Sequence, residues 1–201
     1  MLVSENFEGD PKRSNFSAQE WTFIRNSQKI QLVLCYSEYA RTLWISKKLR
    51  VPIQAMKDTV ARYLSGTQSN DDLKYIVHAS HDTQQWNVKE FLQPLNYDPI
   101  DMPYASTIFF ELHYDEGCLN STKTRGNQCF TVQVLQNGRM LKFDTCMQDN
   151  NMQGRFGSPL CSFDSFIRHI DKLKYQGPLS IDEACVQPYN SSETMSSLFM
   201  H

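Results

Sequence analysis

Leu73-Lys74-Tyr75-Ile76-Val77-His78-Ala79-Ser80-His81-Asp82-Thr83-Gln84 is an apolar run that gives way to an imidazole beside a carboxylate. The run predicts a strand over Leu73–Val77 that ends in a turn leading into a helix. Open α/β sheets hold their ligands in the crevice beyond the strand ends, so the spacing puts His81 and Asp82 where chemistry is done. A His donor can bind a phosphoryl oxygen, and a protonated Asp can hand a proton to a leaving oxygen. The same dipeptide can equally serve as a cap, with Asp82 accepting from the amides of the first helical turn.

Downstream, the polar segment from Thr83 to Leu95 predicts one short helix. Ile108, Phe110, Leu112 and Tyr114 then alternate with Phe109, Glu111 and His113, as a strand with two faces requires. Phe130, Val132 and Val134 predict the next strand, and Asn137-Gly138 is a hairpin turn leading into Met140–Phe143. Phe163, Phe166, Ile167 and Ile170 mark an amphipathic late helix.

Upstream, the apolar spacing is helical. Leu32, Tyr36, Tyr39 and Leu43 share one face, and Ile53, Met56, Val60, Tyr63 and Leu64 form a second stripe. Pro52 suits the start of that second helix and Gly66 its end. Gly66 to Asp72 is a polar connector, and the Ser-rich stretch from Pro188 reads as a tail. Helices therefore come first and strands later, which predicts an α/β chain.

With 201 residues, 40% of them hydrophobic, the chain can bury one substantial core. A formal charge of −2 argues against a nucleic-acid surface, and no apolar stretch approaches membrane-spanning length. Met1-Leu2-Val3-Ser4-Glu5-Asn6 lacks the basic and apolar regions of a signal peptide. Other features point to an oxidising compartment. There are six cysteines, and Asn15-Phe16-Ser17, Asn120-Ser121-Thr122 and Asn190-Ser191-Ser192 are glycosylation sequons. Cys118 and Cys129 flank a polar run, and a bridge closing it is the simplest pairing. Cys146 and Cys161 flank a Gly- and Asn-rich excursion. Cys35 is open to two readings, a bridge partner or a buried thiol on a helix. His113 reads as a surface or hydrogen-bonded residue, because no Cys/His cluster around it has zinc spacing.

In order and spacing, His78-Ala79-Ser80-His81-Asp82-Thr83, Pro103-Tyr104-Ala105-Ser106, Phe110-Glu111-Leu112, Gln136-Asn137-Gly138, Cys146 and Cys161-Ser162-Phe163 resemble the histidine acid phosphatases, the branch of the histidine phosphatase superfamily that includes lysosomal and prostatic enzymes. The resemblance spans about residues 70 to 186. It implies a three-layer core, a mixed sheet flanked by helices, with part of a helical cap. Residues 1–66 would then be cap and returning helix, 67–186 core sheet with catalytic turn, and 187–201 tail. It also implies metal-free hydrolysis of phosphate monoesters through a phosphohistidine, with His81 binding the phosphoryl group and Asp82 as general acid. A secretory or lysosomal location, a homodimer, a short-loop disulfide near Cys146, and a partner for Cys185 in the earlier helical region belong to the same resemblance.

One family signature is not matched. Arg-His-Gly-x-Arg-x-Pro carries the nucleophilic histidine and two phosphate-binding arginines, and Arg-His-Gly occurs nowhere in the sequence. Without the nucleophile no phosphoenzyme can form. The expectation is therefore the C-terminal portion of such an enzyme, inactive by itself. The alternative is a non-catalytic, phosphatase-derived binding protein that keeps a relic phosphate site.

Overall fold

The computed structural model describes residues 16–34, 37–96, 102, 105–147 and 161–187. By internal contacts the chain divides into two units, residues 1–37 and 38–201. The first contributes one described helix, α1 (Ala18–Leu34). Its start is fixed locally. The Ser17 hydroxyl accepts from Glu20 N at 3.3 Å, and Glu20 Oε2 accepts from Ser17 N at 2.7 Å, a reciprocal capping box. Phe16 packs edge-on against Trp21 with ring centroids 5.5 Å apart, closing a hydrophobic staple over the same turn.

The second unit opens with α2 (Glu38–Ser65), 28 residues long. The helix start expected at Pro52 is not there, because Pro52 lies inside α2. A proline removes one intrahelical hydrogen bond and crowds the preceding turn. Leu43, Ile45, Leu49, Ile53 and Val60 lie on both sides of it and are all buried, so packing carries the helix through. The two predicted stripes therefore divide differently: Tyr39 and Leu43 belong to α2, Leu32 belongs to α1, and Tyr36 lies outside the described residues. Gly66 ends α2 at φ +71°, a left-handed position that costs glycine little. In the connector, Ser69 N donates to Asp72 Oδ2 at 2.9 Å, and Arg62 Nε lies 3.2 Å from the same carboxylate.

The strand expected over Leu73–Val77 is absent. Residues 73–81 form neither strand nor helix, and Leu73, Tyr75 and Val77 are 61%, 70% and 70% exposed. An alternating apolar segment becomes a strand only where a neighbour accepts its backbone hydrogen bonds. No described strand pairs with this one.

After it comes α3 (Asp82–Leu92), followed by β1 (Ile108–Tyr114) and a short α4 (Glu116–Asn120). Next are β2 (Phe130–Gln136), β3 (Arg139–Met140), α5 (Asp144–Met147) and β4 (Cys161–Ser162). The chain closes with α6 (Phe163–Leu173) and α7 (Ile181–Val186). β2 is the central strand. It pairs antiparallel with β1 over its whole length, Ile108 opposite Gln136 and Tyr114 opposite Phe130. It also pairs antiparallel with β3 and β4. Asn137 and Gly138, at φ +50° and +77°, make the tight turn that joins β2 to β3. Every pairing among the described residues is antiparallel, so the unit combines helices with an open antiparallel sheet.

One core joins these elements. Phe130, Val132 and Val134 from β2 meet Phe166 and Ile170 of α6, Phe91 and Leu92 of α3, and Ile45, Leu49, Ile53 and Val60 of α2. Two disulfides pin its margin, Cys118–Cys129 and Cys146–Cys161. Both match the expected pairings and fit a secreted or lumenal protein. Cys185 in α7 is a free, exposed thiol, and Cys35, open to the two readings of bridge partner or buried thiol, lies outside the described residues. No described helix is long and apolar enough to cross a membrane.

Candidate functional site

His81 is the N-cap residue of α3, in extended backbone at φ −92°, ψ 164°. Its carbonyl accepts from Gln84 N and Gln85 N at 3.0 and 3.1 Å, which closes the first turn. Gln84 Oε1 in return accepts from His81 N at 3.4 Å, so His81-x-x-Gln84 acts as half of a capping box. Asp82 Oδ1 accepts from Thr83 N at 2.7 Å. The capping reading of the dipeptide thus has its geometry. Both side chains are exposed, and they stand at the positive end of a three-turn helix.

What holds this turn lies behind it. Gln85 Nε2 donates to Ser106 O at 2.7 Å, and Asn87 Nδ2 donates to Thr83 O at the same distance. The buried Ser106 hydroxyl meets Asn137 Nδ2 at 3.1 Å, while Asn137 Oδ1 accepts from Thr107 N at 2.8 Å. The β2–β3 turn and the strand entry before β1 therefore anchor the first turn of α3, and buried Trp86, Phe91 and Leu92 fix the helix against the core. Sequence reasoning assigned no part to Gln84, Gln85 or Ser106. The Gln at the third position after His81 was the one local sign available, and the Ser106 contact spans 21 positions along the chain.

The other histidines are dispersed. His78 is exposed in the irregular segment before α3, and His201 lies outside the described residues. His113 Nε2 lies 3.2 Å from Glu111 Oε2, a hydrogen-bonded surface histidine as expected. His169 follows Arg168, the one Arg-His step in the sequence, but its ring is 3% exposed and bound to Leu92 O, so it cannot reach a substrate. Among the described residues no group of three or more His, Cys, Asp or Glu side chains could hold a metal ion. A groove of about 350 Å³ opens elsewhere, between α2 and α6, with Lys57, Val60, Leu64, Phe163 and Asp164 among its lining residues.

Comparison with family models, with curated proteins and with solved structures returns no match.

Proposed function

We propose that the exposed His81–Asp82 pair is the phosphate corner of a histidine-type acid phosphatase, His81 donating to a phosphoryl oxygen and Asp82 protonating the leaving alkoxide. The observation that carries this reading is the presentation of both side chains at the first turn of α3. There the helix dipole favours an anion, and the turn is braced from behind by Ser106 and Asn137. The order of motifs from His78 to Phe163 supports the histidine phosphatase core as its setting. Delivery to a secretory or lysosomal lumen and assembly as a homodimer belong to the same proposal.

The chemistry sets a limit on this chain. Hydrolysis through a phosphoenzyme needs a histidine to displace the alkoxide and arginines to hold the phosphoryl oxygens. Arg-His-Gly is not in the sequence, and His169 is shut inside the core. The chain by itself is therefore inactive toward phosphate monoesters and binds phosphate weakly. The hydrogen bond from Thr83 N to Asp82 also suits the second reading, a binding protein whose carboxylate serves the helix rather than a leaving group.

The test is paired. With p-nitrophenyl phosphate the expected turnover is none above background, and turnover that Asp82→Ala abolishes would refute the inactive-alone reading. Titration with inorganic phosphate, followed by NMR at the His81 ring, is expected to shift its resonances. An unmoved His81 at high phosphate would remove the site itself.

A further inference from the structure

The sequon Asn120-Ser121-Thr122 lies on the loop that the Cys118–Cys129 disulfide closes. Asn120 is the last residue of α4, and Ser121 after it is extended at φ −87°, ψ 119°. The helix turns Cys118 into the core at 5% exposure and packs Leu119 against it, whereas Asn120 and Thr122 are exposed. A bulky polar group on the Asn120 amide would therefore stand in water and displace nothing from the core.

We propose that Asn120 is N-glycosylated, which rests on the lumenal location in the reading above. The amide nitrogen of Asn120 bonds to the anomeric carbon of a lipid-pyrophosphate-linked oligosaccharide. The bond from that carbon to the phosphate oxygen breaks, the lipid pyrophosphate leaves, and the amide gives up one proton. The Thr122 hydroxyl is the second element that the transferase requires. Transfer needs the sequon extended, and Asn120 is helical in the fold, so the glycan is added before α4 forms.

The experiment is peptide mapping of the native protein, alkylated at isolation and treated with peptide-N-glycosidase in heavy-oxygen water. The expected result is a Cys118–Cys129 cross-link together with conversion of Asn120 to labelled Asp in most copies. A closed disulfide with unlabelled Asn120 overturns the proposal and leaves the lumenal reading standing. Free, alkylated Cys118 and Cys129 with unlabelled Asn120 overturn both. In a secretory host, Thr122→Ala is expected to abolish the label and Thr122→Ser to retain it. The label at Asn120 is expected to survive Cys118→Ala with Cys129→Ala, and its loss there would overturn the proposed order of events.

Discussion

His169 faces two neighbours from inside the core. Its Nε2 lies 2.7 Å from Leu92 O, and since a carbonyl can only accept, that nitrogen carries a hydrogen. Its Nδ1 lies 3.5 Å from Asp144 Oδ1, and its ring lies over Phe143 at 4.6 Å between centroids. Truncation removes ring packing and strands the carbonyl at the end of α3, so His169→Ala is expected to cost about 2–4 kcal/mol in urea unfolding. Asp144 is half exposed, so Asp144→Asn is expected to cost less than about 1 kcal/mol. The Thr145 N–H holds the Asp144 carboxyl below the usual carboxylate range, with Lys172 and His169 adding to the effect. A carboxyl lowered in the folded state stabilises above its unfolded value and loses that contribution as pH falls through the folded one. The gap between wild type and Asp144→Asn should therefore be full at neutral pH and close at the acid end of the carboxylate range. A gap that widened with acid would contradict the assignment.

Elements were legible where their hydrogen bonds are local. Asn137-Gly138 announces its own turn through two left-handed positions, and the alternation from Ile108 to Tyr114 became β1 because β2 lies beside it. Pro52 was misread because its local effect is real but smaller than the burial of Leu49 and Ile53 around it. Pro52→Ala restores a hydrogen bond and is expected to stabilise α2 by about 1–3 kcal/mol, as a raised urea midpoint with unchanged slope. Leu73–Val77 carries a strand's pattern with no partner to complete it. Exposed Leu73, Tyr75 and Val77 next to unpaired backbone make an adhesive segment. Replacing all three by Ser is expected to reduce dye binding and aggregation while leaving the melting temperature within error. A fall in melting temperature would mean that these side chains are packed in solution. The candidate site was half legible for the same reason. His81 and Asp82 are adjacent in sequence and could be picked out, but the Ser106 and Asn137 bracing runs through contacts that only the folded chain brings together.

At the scale of the molecule, the described residues between 38 and 187 hold together around an apolar core whose margin is cross-linked twice, across 11 and 15 positions. In the chain-entropy account a bridge over loops of that length stabilises by about 3 kcal/mol, because it removes open conformations from the unfolded chain. Two such bridges amount to roughly 6 kcal/mol, comparable with the whole stability of an ordinary domain. Their positions make them nearly independent. Cys118–Cys129 joins α4 to the start of β2, and Cys146–Cys161 joins α5 to β4 on the opposite side of β2 from β1. Serine pairs at either bridge should thus lower the urea midpoint by similar amounts, and the double set should come close to their sum. Full reduction is expected to leave the chain largely unfolded at physiological temperature, read by the loss of near-ultraviolet dichroism from the aromatic core. A reduced chain that melted where the oxidised one does would mean that β2 and α6 already close both loops by packing alone. The bridges would then mark the compartment without holding the fold.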